Sequence, residues 1–200
     1  MKIGIDIDNT ITSTRPILRD YCIRYNNEVV KRNLPINEYG FATFNFFEWT
    51  HDEEMDFCSK HLEKAVLSAP IKENAKEVIK KLKKDNYIYI ITSRKKPHFS
   101  EPYELTKKFL DKNGIVYDEL IVGCEDKYNF CLDNNIEIMI DDEPQNINPI
   151  SKVMPVIVFN GVQNSMCEGN NILKVDTWNE VYEIIKAYKK IKGGNTNEWK

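Results

Sequence analysis

The side chains best suited to chemistry fall in four short stretches. The first, Asp6-Ile7-Asp8-Asn9-Thr10, follows directly on the apolar run Ile3-Gly4-Ile5. Alternate residues of a strand share a face, so Asp6 and Asp8 are expected to point the same way where the chain leaves the sheet. Two carboxylates at that spacing repel unless a cation or a shared proton lies between them. The pattern suits a hard divalent metal held by oxygen ligands, with one carboxylate serving as a nucleophile. The plainer reading is that Asp8 and Thr10 cap the next helix. The second stretch is Thr92-Ser93-Arg94, after the run Tyr87–Ile91. A hydroxyl and backbone N–H groups at a strand-to-helix junction cradle an oxyanion, although Thr92 or Ser93 could equally cap a helix. The third is Lys127, at the start of a helical stretch, where it opposes the helix dipole and calls for a counter-anion. The fourth is Asp141-Asp142, ending the apolar run Ile136–Ile140. Adjacent acids at the end of a buried strand point to metal binding, and Pro144 is expected to stop any helix beginning there.

The elements that must position these residues alternate. β-branched runs at 3–7, 87–91, 119–122, 136–140 and 156–159 are separated by helical patterns at 74–84, 102–113 and 127–134. That order predicts an α/β fold with a mostly parallel sheet covered on both faces. Asn113-Gly114 is a helix stop, and residues 177–190 read as a closing amphipathic helix. The alternation breaks between Ser13 and Ser68, where helices at 15–31 and 52–67 flank an aromatic-rich loop at 39–49. An insertion there reads as a helical cap over the sheet's C-terminal edge, where open α/β sheets bind ligands. The expected division is therefore a core of residues 1–13 and 69–192, a cap of 14–68 and a flexible tail of 193–200.

Bulk properties exclude several classes. The chain has 200 residues, 42% of them hydrophobic, which is enough for one domain with a substantial core. A net charge of −3 argues against a nucleic-acid polymer as partner, and the lysines between 72 and 84 read as a solvated helix face. No run is long enough to span a membrane and no leader pattern is present, so a soluble cytoplasmic protein is expected. Five scattered cysteines without C-x-x-C pairs read as reduced thiols. The three histidines show no metal-ligand spacing.

Taken in order, the four stretches resemble the signature of the haloacid dehalogenase-like superfamily of phosphotransferases: D-x-D-x-T, a strand-end Ser/Thr, a lysine and an acidic pair. The resemblance runs from Met1 to about Phe159. It implies a Rossmann-like three-layer core with a C1-type cap. It also implies that Asp6 attacks phosphorus to give an aspartyl-phosphate, and that Asp8 protonates the leaving oxygen and then activates water. Mg2+ would be held by Asp6, the backbone carbonyl of Asp8 and Asp142 directly, with Asp141 acting through water. Thr92 with the N–H of Ser93, and Lys127, would neutralise the phosphoryl oxygens, with Thr10 and Arg94 also against substrate. An acid at Asp8 selects phosphate esters over carbon–halogen or phosphonate substrates, because an alkoxide leaving group must be protonated.

A closer resemblance is to the 5'(3')-deoxyribonucleotidase-like branch and its bacterial relatives, through Asp126-Lys127, the run Ile138–Asp142 and the position of the cap. That branch seats the nucleobase on cap aromatics, which makes Phe44, Phe46, Phe47 and Trp49 candidates, unless they simply pack the cap. Arg94 stands where those enzymes carry proline and Glu125 where they carry arginine, and Glu125 would disfavour an anionic group nearby. The expectation is an Mg2+-dependent phosphomonoester hydrolase acting on a small molecule, a (deoxy)nucleoside 5'-monophosphate first. A sugar or polyol phosphate is the second reading and a catalytically silent phosphate-binding domain the third. The resemblance leaves room for a homodimer.

Overall fold

The β-branched runs pair into one parallel sheet. A computed structural model describes residues 1–40 and 46–194. Its strands are β1 (Lys2–Ile5), β2 (Tyr87–Thr92), β3 (Glu119–Val122), β4 (Ile138–Asp141), β5 (Val156–Phe159) and β6 (Ile172–Val175). Their order is β3-β2-β1-β4-β5-β6, with every pair parallel. The chain thus starts in the middle of the sheet, grows to one edge and then crosses to the other. The switch point lies between β1 and β4, where such sheets open a crevice at their carboxyl ends.

Both faces are covered, as the unbroken apolar strands require. On one face Ile3, Ile5, Ile88, Ile90 and Ile138 pack against α4 (Ala75–Leu82), α5 (Pro102–Asn113) and α8 (Trp178–Gly194). On the other, Tyr89, Ile91, Met139 and Val156 meet α6 (Lys127–Asp133) and α7 (Pro144–Ile150). The lysines of α4 lie outward while Ala75, Val78, Ile79 and Leu82 are buried. Gly4 sits in the central strand, between β2 and β4. A Cβ there would meet Met139 Sδ at 2.6 Å and Ile91 Cδ1 at 3.0 Å. Gly4→Val should therefore cost about 1–3 kcal/mol by overpacking, measured as a lowered urea midpoint.

Several sequence expectations are corrected. Pro144 begins α7, because a helix's first turn has no use for the missing N–H. Strand β6 was not expected, being a four-residue edge strand whose Lys174 breaks the apolar run. The last helix continues to Gly194, past the residue 190 read from the pattern and into the expected tail, and residues 195–200 lie outside the described part.

Between β1 and α4 the chain is helical. Helix α1 (Thr14–Tyr25) runs into a π-helical turn at Asn26–Val30. Helix α2 (His51–Phe57) continues through a second such turn at Cys58–Leu62 into α3 (Glu63–Leu67). Thr50 caps α2 through a reciprocal capping box with Glu53. This layer has its own core, in which Leu18, Cys22, Tyr25, Phe46, Trp49 and Phe57 are buried together.

Candidate active site

All four stretches reach the carboxyl end of the sheet. Strand β1 ends at Ile5, so Asp6 is the first residue beyond it, tied to β4 by its N–H donating to the Ile140 carbonyl at 2.9 Å. Asn9 then takes the left-handed conformation (φ 57°), and the N–H groups of Ile11 and Thr12 both return to the Ile7 carbonyl. Asn tolerates this conformation better than most residues. Asp6 faces the acidic end of β4, while Asp8 faces the loop after β2.

Each acid has its own cation. Lys127, only 2% exposed, donates from Nζ to Asp6 Oδ1 at 2.6 Å and to Asp141 Oδ2 at 2.9 Å. The N-cap Asp126, whose carboxylate accepts from the Asn129 N–H, starts α6 so that Lys127 points inward. Asp8 is gripped by Arg94, Nε to Oδ2 and Nη2 to Oδ1, both at 2.9 Å, and Thr14 Oγ1 donates to its Oδ1 at 2.9 Å. Within the protein Asp6 thus pairs with Lys127 and Asp8 with Arg94.

Asp141 is fully engaged. Besides Lys127 it accepts from the Glu143 N–H at 2.9 Å and from Asn146 Nδ2 at 3.1 and 3.3 Å. Asp142 accepts from Gln163 Nε2 through Oδ2 at 2.7 Å. Carboxylate oxygens of Asp6, Asp141 and Asp142 lie within 4.8 Å of one another. Three carboxylates and one ammonium leave the cluster net negative and buried, and the electrostatics follow. Burial, opposed by Lys127 and reinforced by Asp141, pushes the Asp6 carboxyl up to about 7. Burial and then the Asp6 and Asp141 charges push Asp142 well above the carboxylate range. Burial would pull the Lys127 ammonium down, but Asp141 and Asp6 outweigh it and hold it above the usual lysine range. At Asp8 burial acts upward, yet Arg94 and Thr14 prevail and hold the carboxyl below its ordinary value.

A cavity of about 620 Å³ opens above these groups. Its floor includes Asp6, Asp8, Lys127 and Asp142, and Ser93 and Arg94 join them from the loop after β2. Its far wall is apolar, made by Leu18 of α1, Leu62 and Val66 of the α2–α3 segment, and Phe99.

Other expected site residues lie elsewhere. Thr10 is fully buried, its hydroxyl without a hydrogen-bond partner and its carbonyl accepting from Trp178 Nε1 at 3.2 Å, so it is packed beneath the site. Thr92 is also buried, and its Oγ1 accepts from the Arg94 N–H at 3.4 Å. Phe46, Phe47 and Trp49 do not line the cavity. They are buried in the helical layer, where Trp49 lies 5.6 Å from Phe47 and donates to Asn26 Oδ1. The expectation of a nucleobase platform from these three is therefore corrected: they are buried with Leu18, Cys22, Tyr25 and Phe57 as core of the helical layer. Phe44 lies outside the described residues. Glu125 is paired with Lys95 at 2.7 Å on the exposed rim. Thr14, Asn146 and Gln163, which orient the acids, were missed. Gln163 reaches Asp142 from 21 residues away, a contact no local pattern announces.

This geometry can be set beside known proteins. A family model described as 5' nucleotidase, deoxy (pyrimidine), cytosolic type C protein (NT5C) matches residues 1–191. The chain belongs to the NT5C family. This NT5C chain is 28% identical over 187 residues to a protein of Clostridium acetobutylicum named nucleotidase CA_C3379, covering 92% of this chain and 93% of that one. In fold it is similar to SP0104 of Streptococcus pneumoniae, a haloacid dehalogenase-like hydrolase, with a TM-score of 0.68, 10% identity and coverage of 92% and 97%. It is also similar to the HAD-type protein YfnB of Bacillus subtilis, solved bound to magnesium, with a TM-score of 0.60, 15% identity and coverage of 92% and 98%. The NT5C chain is accordingly a phosphoric monoester hydrolase of the haloacid dehalogenase-like type. Among its described residues no helix is long and apolar enough to cross a membrane.

Proposed function

We propose that this protein is an Mg2+-dependent 5'-nucleotidase that hydrolyses (deoxy)nucleoside monophosphates through an aspartyl-phosphate on Asp6. The carrying observation is the placement of Asp6, buried against Lys127 in the lining of a cavity that Asp8 also lines. Asp6 Oδ2 would attack phosphorus while Lys127 and the N–H of Ser93 take the phosphoryl oxygens. Asp8 would then serve the leaving oxygen and the water. At rest it is an ion-paired base; the incoming phosphoryl dianion, a like charge beside it, would raise its proton affinity.

The acidic cluster suits a hard cation. It offers carboxylate oxygens alone, without thiolate or imidazole, which is the donor set magnesium prefers. Asp6 and Asp142 would ligate, with the Asp8 carbonyl. Asp142 has an oxygen to spare, whereas Asp141 is occupied with Lys127 and Asn146. When bound, the ion would neutralise charge on the transferring phosphoryl group. EDTA should therefore abolish turnover and Mg2+ restore it. Because Asp6 holds a proton below about pH 7, Mg2+ affinity should weaken as pH falls through that value. The expected slope is about tenfold per pH unit for each proton displaced. Titration calorimetry in buffers of different ionisation enthalpy would count those protons, and a pH-independent affinity would reject the assignment.

The segment 14–68 would act as the cap, its Leu18, Leu62 and Val66 meeting the leaving group. That apolar wall favours a nucleoside over a polyol. A phosphomonoester panel decides between them: sugar phosphates turned over as well as nucleotides would remove the nucleotidase reading.

A further inference from the structure

Arg94 commits its hydrogen bonds before any substrate arrives. Two of its nitrogens hold the two oxygens of Asp8, both at 2.9 Å. The third, Nη1, is buried and makes no hydrogen bond. The guanidinium carbon lies 5.6 Å from the ring centre of Phe99 and 5.5 Å from that of Phe109, and the residue is 4% exposed. A planar fork on both oxygens fixes the direction of a carboxylate as well as its place, which a single donor cannot do. The flanking rings hold the fork. Thr14 Oγ1 also bonds Asp8 Oδ1 at 2.9 Å, the oxygen that Arg94 Nη2 holds. The side chain of Asp8 is thus set jointly by the loop after β2 and the first turn of α1.

We propose that Arg94 is a positioning residue for Asp8 and not a ligand of the substrate's phosphoryl group. This rests on the reading of Asp8 as the acid–base group. Asp8 takes up a proton from solvent as the phosphoryl dianion enters beside it. In the first step the bond from Asp6 oxygen to phosphorus forms, the ester P–O bond breaks, and that proton passes to the departing oxygen. In the second, Asp8 takes a proton from water as the water oxygen bonds phosphorus. The Asp6–phosphorus bond then breaks, releasing inorganic phosphate. Both transfers need Asp8 aimed at one oxygen position. An alkyl ester depends on the first transfer because an alkoxide leaves poorly. A p-nitrophenyl ester does not, since its phenolate departs unprotonated.

Single-turnover rates separate the roles. Wild type, Arg94→Gln and Arg94→Lys are compared on a nucleoside 5'-monophosphate and on p-nitrophenyl phosphate, with Mg2+ present. For Arg94→Gln, nucleoside release should slow about 10²-fold while the first-turnover burst of p-nitrophenolate changes by no more than about threefold and substrate affinity holds. Arg94→Lys, with one donor in place of a fork, should recover only part of the loss. Equal losses on both esters, or weaker binding at an unchanged rate, would overturn the proposal. Should the Arg94 variants fail to fold, Thr14→Val removes only the second hydrogen bond that orients Asp8. Selective slowing of the nucleotide would then support the proposal, and a uniform effect would refute it. Wild type inert on both esters would defeat the phosphomonoesterase mechanism itself, and this proposal with it.

Discussion

Asp6→Asn should eliminate hydrolysis while leaving the protein at least as stable as wild type. An amide oxygen is too weak a nucleophile to displace an alkoxide from phosphorus, so turnover should fall by at least about 10⁴-fold. The fold has no need of the charge. Asparagine still offers Lys127 an acceptor where Oδ1 lies 2.6 Å from Nζ, and Lys127 keeps its bond to Asp141. Removing one of three buried carboxylates also relieves repulsion, because burial already pushes Asp6 up to about 7 and the charges of Asp6 and Asp141 weigh on Asp142. A gain of roughly 1 kcal/mol is therefore expected, the usual sign where function is held at the expense of stability. Thermal melts without metal, paired with phosphate release, check both halves. Activity that survives the substitution would rule out Asp6 as the nucleophile, and a large loss of stability would show that its charge supports the fold.

What the sequence disclosed follows from how locally each feature is encoded. The strand–helix alternation is written in consecutive residues. Thus β2, β3 and β5 lie where the apolar runs ended, and α5 stops at Asn113 ahead of the left-handed Gly114. The strand-end acids were legible for the same reason: a carboxylate beside an apolar strand has few uses other than binding or catalysis. The contacts that orient those acids were not legible. Arg94 reaches Asp8 across 86 residues and Gln163 reaches Asp142 across 21, so their partners exist only once the sheet has assembled. The aromatic loop misled for a different reason. Phe46, Phe47 and Trp49 carry the same surface whether they stack on a ligand or fill a core, and only the assembled helical layer, in which they pack with Leu18, Cys22, Tyr25 and Phe57, decides it. Pro144 likewise reads as a breaker or a starter depending on whether a helix precedes or follows it.

Lys127→Met tests the other half of the buried cluster, and its effect should fall on stability as much as on rate. The methionine side chain approximates the lysine stem in volume but leaves Asp6 and Asp141 facing each other without a cation. Breaking a buried ion pair by removing one partner costs about 3–5 kcal/mol, since the remaining charge keeps its desolvation and loses its attraction. Part of that cost should be recoverable. A divalent ion on Asp6 and Asp142, with Asp141 freed beside them by the loss of Lys127, would replace the lost positive charge, so Mg2+ should raise the midpoint of the variant more than that of wild type. Turnover should not recover with it. The ammonium lies on the cavity floor, where it would meet a phosphoryl oxygen, and removing one such preorganised charge typically costs about 10²–10³ in rate. Denaturant melts with and without Mg2+, beside kcat at saturating metal, separate the two roles. If stability and rate were restored together by Mg2+, Lys127 would be a counter-charge alone. If neither moved with the metal, the three carboxylates would not be its site.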